Sequence, residues 1–228
     1  MATLLLRLAG PMQAWGTTSR FDERDSGLEP SKSGVLGLVC AALGRDRSEP
    51  LDDLATLKMS VRVDREGLLM RDYQTLGGDR DPEKVKKSIR TASGGFKKDP
   101  VISPRYYLAD AAFLVALEGE HRLLATMQQA LQRPVWPLSL GRKSMPPGLP
   151  VWLPEGIQDE TAQKVLSSWP RIAPCRAEHK GQPLRLMSEH PSEGAVRLDQ
   201  PAAPFAERRF GPRFVKPEVV DVPDTTEA

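Results

Sequence analysis

Cysteine and histidine are scarce in this 228-residue chain: two of the first and three of the second. Cys40 and Cys175 stand alone, too few for a disulfide framework and not spaced as a metal-binding pair, so a reducing cytosol is the expected compartment. His121, His179 and His190 form no H-x-x-x-H, and the chain has no C-x-x-C, no G-x-S-x-G elbow and no Walker loop. Excess charge is missing too. With 32 basic against 30 acidic side chains the net charge is +2, which excludes a protein that coats nucleic acid with its whole surface but leaves room for a local basic patch. Long apolar runs are absent: Gly34 to Gly44 falls well short of the roughly 20 residues a bilayer requires. The opening MATLLLRLAGPMQAWG lacks a basic start and is interrupted by Arg7 and Gly10-Pro11, so it reads as a buried first strand rather than a signal peptide.

Hydrophobic residues at 39% and charged residues at 27% describe a soluble globular protein, long enough for one domain with an appendage. Thr3 to Ala9 predicts a strand. The polar loop Gly10 to Pro30 is longer than connections usually are, and loops of that length tend to carry function. Ser31 as cap and Gly44 as stop bracket a helix over Lys32 to Leu43. A short helix is expected from Ser48, with Pro50 in its first turn. Met59 to Asp64 alternates as a half-buried strand, with Leu68 to Leu76 as its hairpin partner across Arg65-Glu66-Gly67. Arg105 to Leu117 predicts one strong strand, Glu120 to Gln132 an amphipathic helix, and Val135 to Leu140 another strand. Strand, helix, strand, strand, helix, strand is the ferredoxin-like arrangement shared with the RNA-recognition sheet, an α+β fold. Most of the 21 prolines lie from Pro134 onward. There the pattern weakens to a helix at Asp159 to Ser168, short strands at Leu184 to Met187 and Ala195 to Leu198, and an irregular end. The division expected is a body over 1–148 and a loop-rich, β-containing extension over 149–228 packed on it.

Nothing in the sequence proposes an active site; pairs such as Asp52-Asp53 read as solvated carboxylates. Phosphate binding has more support. The segment Gly77 to Pro104 loses apolar content and carries Arg80, Lys84, Lys86, Lys87, Arg90, Lys97 and Lys98, with the pairs Gly77-Gly78 and Gly94-Gly95 allowing it to hinge. Arg105, Tyr106 and Tyr107 at its base add a guanidinium and aromatic faces, the combination that grips single-stranded RNA. A solvated charged loop explains the composition equally well. Lys32 and Ser33 at a helix start form an anion-type site. Gly141, Arg142, Lys143 and Ser144 form a glycine-led basic turn. Arg208, Arg209, Arg213 and Lys216 interleave with Phe205, Phe210 and Phe214.

Four blocks resemble one family. Leu6-Arg7-Leu8-Ala9-Gly10-Pro11-Met12-Gln13-Ala14-Trp15-Gly16 resembles the opening of the CasD family, the fifth Cas protein of subtype I-E CRISPR systems, within the RAMP superfamily. Pro30-Ser31-Lys32-Ser33-Gly34-Val35-Leu36-Gly37-Leu38 is similar to its first helix. Arg71-Asp72-Tyr73-Gln74-Thr75 and Leu140-Gly141-Arg142-Lys143-Ser144 resemble its later blocks, in the same order.

The resemblance implies a non-catalytic subunit of the Cascade surveillance complex in antiviral defence, capping the 5′ handle of the CRISPR RNA. It implies contacts with the backbone and large subunits, and target DNA met only through the complex. The Gly77 to Pro104 segment would be a projecting thumb. The 10–30 loop, with Gln13, Trp15, Arg20 and Arg24, would line the handle-binding face with Arg71, Tyr73 and the Gly141 turn. No cofactor or membrane is implied. The subtype I-C counterpart is a metal-independent endoribonuclease using Tyr, Lys and His. Its chemistry needs a proton shuttle that no suitably placed histidine supplies here. That nuclease activity, and a protein–protein adaptor displaying Trp15, Trp136 and Trp152, are the alternatives.

Overall fold

The computed structural model describes residues 2–223 except 18–22, 78–80, 82, 84–88, 92, 98 and 175–180. Helices and antiparallel sheets make a mixed α and β architecture. Strand β1 (Ala2–Ala9) is followed by the two-residue β2 (Met12–Gln13), helices α1 (Lys32–Leu43) and α2 (Asp52–Ala55), then β3 (Lys58–Arg65) and β4 (Leu68–Leu76). After these come β5 (Val101–Ala109), β6 (Ala112–Gly119), α3 (His121–Gln132), β7 (Trp152–Gln158) and α4 (Ala162–Ser168). Strands β8 (Leu184–His190), β9 (Ala195–Pro201) and β10 (Phe210–Val220) complete the order.

Seven strands form the main sheet in the order β7-β1-β6-β3-β8-β10-β9, and β2-β5-β4 form a second. Helices α1 and α3 cover one face, where Leu4, Leu6, Leu8, Phe113, Val115 and Leu117 meet Val35, Leu36, Val39, Leu124 and Met127. Helix α4 covers the other with Val165 and Leu166 against Leu5, Leu114, Ala116 and Leu186. Both faces of β1 and β6 are therefore apolar, and the two strands read as almost continuous hydrophobic runs.

Helix α1 forms where its bracketing residues place it. Ser31 Oγ accepts a hydrogen bond from the Gly34 N–H at 3.3 Å, and Gly44 ends the helix at φ +73°. Helix α2 is shorter than expected and begins at Asp52, two residues beyond Pro50.

The expected hairpin between the Met59 and Leu68 strands does not form. β3 pairs with β6 and β8, whereas β4 pairs with β5 from Leu68↔Ala109 to Leu76↔Val101. The single strand expected over Arg105 to Leu117 is interrupted by Asp110, at φ +55°. Strands β3–β4 and β5–β6 thus prolong one another as a two-stranded ribbon bent at Glu66-Gly67 and Asp110-Ala111. Arg65 pins the bend, its Nε donating to Asp110 O and its Nη2 to Asp110 Oδ1, each at 2.7 Å. Val135 to Leu140 is also not a strand. Its first amides complete the end of α1, Val135 N–H to Ala42 O at 3.0 Å and Trp136 N–H to Ala41 O at 3.1 Å, and the strand beside β1 is β7. The end of the chain is more regular than its sequence suggests: β10 runs for 11 residues.

Candidate nucleic-acid interface

The residues after β2 fold into a loop pinched at its base. Trp15 bridges Gly27, whose N–H donates to Trp15 O at 3.2 Å, while Ser26 Oγ accepts from Trp15 N–H at 3.1 Å. The returning limb docks along β5: Arg24 N–H donates to Pro104 O at 2.9 Å and Tyr106 N–H to Arg24 O at 2.8 Å. The Gly141 turn closes on the other side. It folds on itself through Leu140 N–H to Met145 O and Met145 N–H to Arg142 O, and Leu140 O accepts from Ala14 N–H at 3.0 Å. From this turn Arg142 Nη2 donates to Arg24 O at 3.0 Å and Asp25 O at 3.1 Å.

This packing gathers Arg24, Arg105 and Arg142, with the carboxylates of Asp25 and Asp72 beside them. Burial holds the Arg142 pKa below the ordinary guanidinium value, and the charges of Arg105 and Arg24 depress it further. Arg105 stands opposite Asp72 in the β4–β5 ladder, and its Nε is buried with no hydrogen-bond partner among the described residues. A cluster with this surplus of positive charge, Arg24 exposed and Arg105 and Arg142 half-buried, is set up to receive an anion.

Alternation along β4 and β5 sorts the other expected residues. Arg71 opposes Tyr106 and Tyr73 opposes Pro104 on one face of the arm, whereas Tyr107 opposes Met70 on the other. Arg71 and Tyr73 are exposed, Tyr106 and Tyr107 half-buried. Towards the tip, Arg90 bridges Phe96 and its guanidinium lies 5.6 Å from that ring's centre; Lys97 is exposed. Gly141, Lys143 and Ser144 are exposed on their turn. Arg20, Arg80, Lys84, Lys86, Lys87 and Lys98 lie outside the described residues.

Three expected contacts are corrected by burial. Gln13 is enclosed, its Nε2 donating to Leu8 O at 3.0 Å and Ala111 O at 2.8 Å and its Oε1 accepting from Trp15 Nε1 at 3.1 Å. Trp15 is 1% exposed, packed beneath Gly34, so neither side chain offers a surface to RNA or to a partner. Lys32 is 1% exposed and its Nζ lies 3.1 Å from both carboxylate oxygens of Glu189. The α1 N-terminus already holds an anion from its own chain: Lys32 N–H donates to Asp199 Oδ2 at 2.8 Å, and Asp199 is gripped in turn by Arg213. Ser33 beside it is half-buried. Burial lowers the Lys32 pKa, with Glu189 opposing that effect. A cation at the first position of a helix opposes the helix dipole, and this mismatch was the available signal for a carboxylate arriving from elsewhere in the chain.

The late basic run is likewise committed internally: Arg213 to Asp199, Arg209 to Glu207 and Lys216 to Glu193. Arg208 lies on the exposed turn before β10, at φ +53°. Trp136 is exposed and Trp152 half-buried. Among the described residues no three His, Cys, Asp or Glu side chains are grouped to hold a metal, and no helix is long and apolar enough to cross a membrane.

A seven-stranded sheet flanked by helices, continued through β3 and β6 into a second antiparallel sheet with guanidinium groups gathered beside it, makes this a mixed α and β protein with a basic cluster on its smaller sheet. Within that class the chain belongs to the CRISPR-associated Cas5 family, whose model matches residues 3–216. It is 36% identical over 165 residues to the CRISPR system Cascade subunit CasD of Escherichia coli (strain K12), an overlap of 66% of this chain and 69% of that protein. Its fold matches the crystal structure of a Cas protein with a TM-score of 0.77 and 45% identity, covering 96% of this chain and 95% of the other. It also matches a chain of a CRISPR RNA-guided surveillance complex with a TM-score of 0.77 and 33% identity, covering 97% and 91%.

Proposed function

We propose that this protein is a non-catalytic RNA-binding subunit of a Cascade-type surveillance complex, and that it caps the 5′ handle of the CRISPR RNA. In this reading β7-β1-β6-β3 with α1 and α3 is the ferredoxin-like unit. The β4–β5 ribbon with residues 77–104 is the thumb. Residues 149–228 pack on the 1–148 body, and the complex's backbone and large subunits are its protein partners. Target DNA is selected by guide pairing and reaches this subunit only through the assembly.

The observation that carries the reading is the convergence of Arg24, Arg105 and Arg142 at the arm's base, with exposed Arg71 and Tyr73 on the opposite face of the ribbon. Guanidinium groups neutralise phosphates, and tyrosine faces stack on unpaired bases. Support for a non-catalytic role comes from the two described histidines, His179 lying outside the described residues: His190 Nδ1 accepts from the Ser192 and Glu193 amides, and His121 opens α3, away from β4 and β5 in the fold.

The test uses the assembled complex. Arg24→Glu with Arg105→Glu should lower the amount of guide RNA that copurifies and steepen its loss with salt; undiminished guide occupancy across a salt titration overturns the reading. Incubating the full chain with labelled repeat RNA in EDTA should leave the RNA intact, and site-specific cleavage would assign the nuclease role instead.

A further inference from the structure

Arg142 Nη2 donates to two consecutive main-chain carbonyls, those of Arg24 and Asp25. The Arg24 carbonyl also accepts the Tyr106 N–H, so β5 and the Gly141 turn grip the same oxygen from two sides. The turn is a firm base for this grip, closed by its own backbone bonds and seated on the backbone of Ala14. The 23–27 limb is thereby held between the turn and the strand that carries Arg105. The clamp acts against repulsion, because Arg24, Arg105 and Arg142 bear like charges close together, the last two of them half-buried.

We infer that Arg142 is a positioning residue: it clamps the Arg24–Asp25 backbone against β5 and so fixes the spacing of the Arg24 and Arg105 guanidiniums that meet an RNA phosphate. The inference rests on the RNA-gripping role proposed above. It separates Arg142 from its neighbours in kind. A phosphate contact needs positive charge, which lysine also supplies; this clamp needs one donor nitrogen carried as far as Nη2, a reach that the shorter lysine side chain lacks.

The experiment compares Arg142→Lys and Arg142→Ala in the full-length protein, using 3′-labelled single-stranded RNA of the locus's own repeat sequence. Affinity is followed over a salt series, and amide hydrogen exchange is followed without RNA. Both variants should weaken binding by about tenfold while leaving the slope of affinity against salt unchanged. In both, the Arg24 and Tyr106 amides should exchange faster than in the unsubstituted protein. Wild-type affinity in Arg142→Lys overturns the inference, as does a slope reduced by about 0.7 in Arg142→Ala with exchange unaltered. Either result makes Arg142 a direct phosphate contact. Should Arg142→Ala not fold, Arg142→Gln, which retains one amide donor, goes through the same measurements. If Arg24→Glu with Arg105→Glu leaves RNA binding intact, the RNA reading fails on its own account, and the two amides still report whether Arg142 holds the limb.

Discussion

The carbonyl oxygen of Ala14 lies 1.7 Å from the point where a Cβ on residue 141 would stand, so Gly141 meets Ala14 backbone to backbone. Its φ of +91° independently disfavours any side chain. Gly141→Ala should therefore destabilise the protein by about 2 kcal/mol or more, because neither backbone segment can retreat without breaking the Ala14–Leu140 hydrogen bond. Urea unfolding measures the loss; a change within a few tenths of a kcal/mol would mean that the turn relaxes freely.

Arg62 and Asp64 form a fully buried ion pair in β3, Nε to Oδ1 at 2.7 Å and Nη2 to Oδ2 at 2.8 Å. The remaining guanidinium hydrogens go to Leu166 O, Trp169 O and Pro170 O, tying the end of α4 to the sheet. Arg62→Met should cost about 3–5 kcal/mol, since it strands a buried carboxylate and three carbonyls. Adding Asp64→Asn should recover part of that loss. Additive single costs in the double-mutant cycle would refute the coupling.

Lys32 sits among Glu189, Asp199 and Arg213 rather than on the surface. Lys32→Glu should lower the thermal midpoint and leave the salt slope of RNA binding unchanged, because the side chain meets no phosphate. A well-folded variant with a shallower salt slope would restore this position to the RNA interface.

Cys40 is buried in α1, and burial pushes its thiol up to about 11 from an ordinary 9.0. The sign follows from linkage. The unfolded chain ionises first, so stability is undisturbed below pH 9 and falls as pH climbs towards 11, by up to about 2–3 kcal/mol. Denaturant unfolding from pH 8 to 11 should show a steeper decline in the unsubstituted protein than in Cys40→Ala. Parallel declines would rule out the thiol as the cause.

How much the sequence disclosed depended on whether the governing contacts were local. Helix α1 was legible because Ser31 and Gly44 are its own neighbours, and β1 because a strand apolar on both faces needs no partner to be recognised. The partner of β4 was not legible: Arg65-Glu66-Gly67 has turn chemistry, yet Gly67 lies against Ala111 and the chain carries on into the arm. Strand β10 was hidden by its prolines. Pro212 falls at the register shift against β9, and Pro217 in the stretch paired only with β8, so neither removes a donor that two neighbours require.

At the candidate site, Arg24, Arg105 and Arg142 were visible as basic residues, but their convergence depends on contacts between distant positions, Arg142 with Arg24 across 118 residues and Arg24 with Pro104 and Tyr106 of β5. Gln13 and Trp15 were visible in a loop of functional length, and only the packing beneath Gly34 identifies them as its foundation. Lys32 stood in a helix start of the anion-binding kind, with its counter-charges 157 and 167 residues away.

The bent ribbon has a mechanical consequence. Both legs of the arm extend β3 and β6, which lie at the heart of the seven-stranded sheet rather than at its rim. A force applied to the tip is therefore delivered through the Arg65–Asp110 knuckle into the best-buttressed beams of the molecule. Such a lever can transmit a tug from whatever it holds without first peeling away from its own foundation.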